Sequence, residues 1–184
     1  MAPRSRLIES LPGYSREIGH LVAMMTYTRQ TTLAAVKDLT ERELDYLHDA
    51  GSNSIGGLLA HITAVEAYYQ AVSLDGRPLT PEEDARLGAA LALGDRGRAE
   101  IRGLPLERYL VQMDVVRSRT LAELAKRNDS WLTETVTLRE TTLSHHWIWF
   151  HVFEDELNHR GQIRWLKARA PGASPTWSRR ADTR

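Results

Sequence analysis

His151-Val-Phe-Glu-Asp-Glu-Leu-Asn-His-Arg-Gly-Gln-Ile163 places two histidines and three carboxylates in its first nine positions. The stretch lies in a long amphipathic segment whose periodicity predicts a helix from about Thr142 to Lys167. Ala170-Pro-Gly stops that helix, because proline cannot continue it. Asp155 and His159 are four apart, so they share one helical face about one turn from each other. A carboxylate and an imidazole so placed can grip one divalent metal if another segment adds ligands; the same spacing also suits a plain surface pair. His151 extends the row, but the helical repeat rotates it by roughly 80° from His159. Glu156, three before His159, is a competing carboxylate, while Glu154 points to solvent.

Working outward, helical spacing recurs from about Tyr14 to Lys37, with Ile18, Leu21, Val22, Met25, Leu33 and Val36 as the core face. Asp38-Leu-Thr-Glu-Arg-Glu-Leu reads as a connector into a short helical turn. Gly51-Ser-Asn-Ser can cap a second helix from about Ser54 to Leu74, which Asp75-Gly-Arg-Pro ends. Its apolar positions surround His61. Thr80-Pro-Glu-Glu starts a short, mostly exposed helix within Thr80–Gly103, with proline at the first position. Another helix is expected from about Pro105 to Arg127, built on Leu106, Leu110, Met113, Val116, Leu121 and Leu124. Trp131–Leu138 alternates polar and apolar residues and suits an extended segment, without an evident strand partner. Four long helices and no convincing sheet predict an all-α fold, a four-helix bundle with short connecting helices. Residues 1–12 read as an N-terminal arm, 13–170 as the bundle and 171–184 as a flexible C-terminal tail.

Composition narrows the chemistry. Twenty-four basic and 24 acidic residues cancel, so nothing electrostatic favours nucleic acid or an anionic membrane. Gly94-Asp-Arg-Gly-Arg is basic but lacks interleaved aromatics. The chain has no cysteine, which removes disulfides, thiolate metal sites, iron–sulfur clusters and a cysteine nucleophile. Any metal is therefore held by nitrogen and oxygen. No apolar run approaches the roughly 18 residues of a membrane span, and no signal-peptide segment follows the basic start, so a cytoplasmic protein is expected. Phosphate-loop and Gly-x-Ser-x-Gly patterns are absent. In a bundle, metal sites use inward side chains of facing helices. His61, within the apolar run Gly57–Val65, is the candidate partner for the last helix, though a histidine there also fits a hydrogen-bonded core position.

Asn53-Ser-Ile-Gly-Gly-Leu-Leu-Ala-His61 and Trp147-Ile-Trp-Phe-His-Val-Phe-Glu-Asp-Glu-Leu-Asn-His-Arg-Gly-Gln-Ile163 together resemble the DinB-like superfamily. This is a damage-inducible four-helix-bundle family related to the bacillithiol and mycothiol S-transferases. The similarity in order and spacing spans roughly residues 14–170. It implies a metal triad, usually of histidines, with one ligand from the second helix and two, four apart, from the last. Carried over, these positions are His61, Asp155 and His159. Asp155 stands where many members have histidine and some relatives have glutamate, which hardens the ligand set. Zn²⁺ or Ni²⁺ is expected, with Mn²⁺ or Fe²⁺ admitted.

Three protein ligands leave positions for water and substrate, as catalytic metals need. The resemblance thus implies a metal-dependent thiol transferase of the bacillithiol or mycothiol type, or a related hydrolase, acting on a small-molecule substrate. The thiol must come from a low-molecular-weight cofactor, since the chain supplies none. Glu156 or His151 is a candidate orienter or proton acceptor, and Arg160 a candidate contact for an anionic substrate. The alternatives are a non-catalytic metal-binding stress-response bundle, or a buried polar network without metal. A homodimer is expected, with neither nucleic acid nor membrane as partner. Trp147, Trp149, Phe150 and Trp165 are expected in the core or a helix interface, their exposure pointing instead to dimerisation. His145-His146 is expected to be solvated or capping, and Gly161 and Gln162 to serve close helix packing.

Overall fold

Hydroxyl side chains start several helices of this chain, whose computed structural model describes residues 7–172. The helices are α1 (Arg16–Val36), α2 (Glu41–Leu44), α3 (Ile55–Tyr69), α4 (Pro81–Ala92), α5 (Gly94–Glu100), α6 (Leu106–Leu124) and α7 (His145–Lys167). Ser54 and Ser144 accept the backbone N–H groups of Gly57 and Trp147, capping α3 and α7. Thr80 and Glu83 form a reciprocal capping box at α4, with Pro81 in the first turn. The start of α1 is capped from afar. Asp129 Oδ1 accepts the N–H groups of Glu17 and Ile18 at 3.0 and 3.1 Å, tying α1 to the connector after α6.

Helices α1, α3, α6 and α7 form the bundle. α7 packs against both α1 and α3, and α6 packs against α3. One core cluster gathers Val36, Leu44, Leu58, Leu59, Met113 and Ile163; another gathers Ile18, Met25, Leu124, Ile148 and Trp149. The all-α expectation holds. Four buried charges, one per bundle helix, also meet inside. Arg29 of α1 donates to Glu156 Oε1 of α7 at 2.9 Å and to Glu66 Oε2 of α3 at 3.1 Å. Arg117 of α6 donates to Glu66 Oε1 at 2.7 Å and to Glu156 Oε2 at 3.2 Å. Their remaining Nη1 groups reach the carbonyls of Met113 and Met25, respectively. Burial opposes the charge on Glu66, yet the Arg117 and Arg29 guanidiniums outweigh it and hold the carboxyl below its usual range.

Several expectations change. α3 does not run uniformly to Leu74; it widens into a π-helical segment over Gln70–Leu74. The region Thr80–Gly103 holds two helices, α4 and α5, because Leu93 and Gly94 take left-handed φ values of 52° and 57° between them. α4 buries one face through Leu87, Ala89 and Ala90, while its other residues are exposed or half-buried, as expected. The extended segment finds its partner immediately downstream. Strand β1 (Thr135–Leu138) pairs antiparallel with β2 (Thr141–Ser144), from Thr135 opposite Ser144 to Leu138 opposite Thr141. Pairing uses the residues assigned to the first turn of the last helix, so α7 begins at His145. Leu33 is 38% exposed rather than core. Trp149 is fully buried as expected, but Trp147, Phe150 and Trp165 are 42–46% exposed. His145 is buried, stacked on Trp131 and bonded through Nδ1 to Ser73 Oγ at 2.7 Å, rather than solvated. The expectations for residues 1–6 and 173–184 lie outside the described residues.

Candidate metal centre

His61 occupies the middle of α3, and Asp155 and His159 face it from successive turns of α7. His61 Nε2 lies 3.8 Å from Asp155 Oδ1, and His159 Nε2 lies 3.3 Å from the same oxygen. One ligand atom from each residue falls within 4.8 Å of the others. The three side chains are 13–15% exposed, so they are largely shielded yet reachable.

Hydrogen bonding behind the rings sets which nitrogen faces the cluster. His61 Nδ1 is 2.8 Å from the Ala90 carbonyl oxygen. A carbonyl only accepts, so Nδ1 carries the hydrogen and Nε2 is left as a bare lone pair. His159 Nδ1 likewise donates to Gln162 Oε1 at 3.3 Å. Two imidazole lone pairs and a carboxylate therefore converge, and Asp155 Oδ2 is buried without a hydrogen-bond partner among the described residues. Such a convergence of acceptors calls for a cation. In the metal-free chain a proton partly answers it. Burial lowers the His159 pKa, but the hydrogen bond to Asp155 and its charge outweigh burial and raise it. Burial works the other way on Asp155, yet His159 and His61 hold its carboxyl far below the ordinary range. Neutral nitrogens with one ionised carboxylate suit a divalent transition metal.

The other sequence candidates are not brought to this cluster. Glu156 is fully buried and held by both buried arginines. His151 Nδ1 pairs with Glu154 Oε2 at 3.1 Å, its ring stacked on Trp147 and met edge-on by Tyr69. Arg160 donates to Thr31 Oγ1 on α1. Sequence reasoning missed Gln162 and the Ala90 carbonyl. Gln162 was legible as the residue three after His159, whereas a backbone carbonyl from α4 leaves no sequence signal. Gln162 and Gly161 do not serve close helix packing. Both are exposed, and no atom lies within 4 Å of where a Gly161 Cβ would stand.

Fold and cluster define a helical bundle with an oxygen- and nitrogen-donor triad shared between its second long helix and its last. The chain belongs to the mycothiol S-transferase family, whose model matches residues 20–172. A crystal structure of a conserved protein from Enterococcus faecalis shares the fold, with a TM-score of 0.64 and 16% identity. The match covers 82% of this chain and 94% of that one. No curated protein matches the chain significantly. Among the described residues, no helix is long and apolar enough to cross a membrane.

Proposed function

We propose that the chain is a metal-dependent thiol S-transferase in which His61, Asp155 and His159 hold the metal, with Zn²⁺ or Ni²⁺ preferred and Mn²⁺ or Fe²⁺ tolerated. The observation carrying this reading is the convergence of two bare Nε2 atoms and a carboxylate whose second oxygen is buried and, among the described residues, unpartnered. The family supplies the class of co-substrate, a mycothiol-type low-molecular-weight thiol joined to a small electrophile. A divalent ion in such a site lowers the pKa of an incoming thiol, or of water in a related hydrolase, supplying a nucleophile near neutral pH.

The chain's own residues set the conditions. Ala90 and Gln162 orient the two imidazoles with their protonated nitrogens turned away from the cluster. Asp155 is ionised at neutral pH, so no proton need leave it for binding. Three protein ligands leave room for the thiol. His151 is held by Glu154 and stacked on Trp147 away from the cluster, so it takes no part in this reading. The reading also includes a homodimer, supported by the exposure of Trp147 and Phe150 on α7 and tested by sedimentation.

Elemental analysis of tag-free protein should find stoichiometric divalent metal, and a conjugation screen with mycothiol should find metal-dependent turnover. His159→Ala should lose both. Full metal stoichiometry in His159→Ala would place the metal elsewhere and overturn the assignment.

A further inference from the structure

A cleft of about 350 Å³ opens between α4 and α6, with α3 beneath it. Both helices pack on α3 but scarcely on each other, which leaves the trough between them uncovered. Ala60, Ala64 and Ala67 of α3 line it, with Leu87 and Ala89 of α4 on one side. Thr63 belongs to the same lining, but its hydroxyl donates to the Leu59 carbonyl at 2.8 Å. None of His61, Asp155 and His159 takes part.

The α6 wall carries apolar side chains where a helix surface is ordinarily polar. Val111 and Val115, one turn apart in this wall, are 54% and 63% exposed. Valine is a poorer helix former than lysine or glutamate, so helix propensity does not account for it there. Leu104, also exposed, extends the same lining. Contiguous exposed apolar side chains mark a surface that gains from being covered. The cover is small. Three such side chains fall well short of the roughly 800 Å² that each partner contributes to a stable protein–protein interface. The volume instead lies within the roughly 300–1,000 Å³ of small-molecule sites.

Charge at the rim defines the other half of the ligand. Arg86 of α4 and Glu100 of α5 are the charged residues of the lining. Glu100 already accepts from Arg96 Nε at 2.9 Å, and the Arg96 guanidinium lies over Gly88. Glu83, whose carboxyl feels the Arg86 charge, gives its two oxygens to Arg77 at 2.6 and 2.9 Å. Arg86 has no ion pair of its own among the described residues. The trough is therefore apolar along its length and carries one uncommitted guanidinium at its edge, with the Gln112 amide on the facing wall.

We propose that this cleft binds a free alkyl monocarboxylate of medium chain length, its chain on the alanine floor and its carboxylate at Arg86. The site is separate from the metal centre and does not depend on the function assigned there. Calorimetric titration of the full chain with sodium butanoate, hexanoate, octanoate and decanoate tests it. A buried methylene is worth about a fourfold gain in affinity, so decanoate should bind at least about 100-fold more tightly than butanoate. Octylammonium has the chain of octanoate with the opposite charge, and should bind at least about threefold more weakly. Arg86→Gln should abolish that preference. Ala67→Leu, which fills the floor, should weaken decanoate by at least about tenfold with metal content unchanged. Should Ala67→Leu fail to fold, Val115→Glu on the exposed wall serves, with the same loss expected.

Affinity that does not rise with chain length, or that survives the floor or wall variant unchanged, overturns the proposal. Equal binding of octanoate and octylammonium overturns the carboxylate assignment. Sedimentation of Val115→Glu beside wild type tests for another occupant. The same species in both supports the small ligand, whereas a smaller species in the variant would give this face to a second copy of the chain and overturn the proposal.

Discussion

Two polar clusters lie within this bundle, and they differ in how completely their atoms are satisfied. In the Arg29/Glu66/Arg117/Glu156 lattice, two cations face two anions, and both carboxylates accept from both guanidiniums. Thr120 and two backbone carbonyls complete the remaining positions. The His61/Asp155/His159 cluster is built oppositely, with acceptors facing acceptors and Asp155 Oδ2 left unpartnered among the described residues. Glu156 and Asp155 are neighbours in sequence, yet one turns into the closed lattice and the other into the open cluster. A satisfied network holds helices in register, whereas an unsatisfied one in a folded protein awaits a ligand. The lattice joins all four bundle helices and thereby sets α3 against α7, the two helices that supply the triad.

The sharpest way to break this comparison is to remove one member from each cluster. His159→Ala should abolish conjugation and cut metal affinity by more than the ~10–100-fold typical of losing an outer-shell partner. Its metal-free stability should fall less than that of a lattice variant, because only one imidazole's hold on the Asp155 carboxylate is lost. Glu156→Ala should do the reverse. It leaves two buried guanidiniums underpaired, a loss of about 3–5 kcal/mol. At about 2–4 °C per kcal/mol for a chain of this size, melting should fall by roughly 10 °C. The folded fraction should still bind metal, as paired calorimetry and elemental analysis would show. If Glu156→Ala lost metal without losing stability, the division between the two clusters would be wrong.

Much of this was legible in the sequence, for identifiable reasons. The 3.6-residue periodicity located the long helices, the Ser54 and Thr80 caps marked the starts of α3 and α4, and the four-residue spacing put Asp155 beside His159. The lattice is legible in the sequence too. Arg29, Glu66 and Arg117 each follow a buried apolar residue, namely Met25, Ile62 and Met113, by four positions. Charge at a core position on three facing helices is the signature of an internal network. Other features were hidden because they depend on tertiary placement. Thr141–Ser144 has no local mark of a strand until Thr135–Leu138 folds back on it. Ala90 orients His61 with a backbone oxygen, which sequence does not distinguish from any other.

Acid sharpens the comparison more gently. Glu66 has a folded pKa below its ordinary value of 4.5, so its contribution to stability is present above that value and is lost as pH falls through the folded pKa. Wild-type melting temperature should therefore fall steeply below about pH 4. Glu66→Gln should melt lower at neutral pH and show a shallower acid decline. Parallel acid branches in the two proteins would show that the lattice does not couple to protonation at this carboxylate.

The smallest expected effect separates stability from function at a single Cα. Gly161 sits well inside α7, where alanine is favoured over glycine by about 1 kcal/mol because the unfolded glycine has more conformations to lose. Nothing stands within 4 Å of the added methyl, so no clash offsets the gain. Gly161→Ala should raise the melting temperature by about 2–4 °C, without changing metal content. If alanine instead lowered the melting temperature, the glycine would have a packing role in the folded chain.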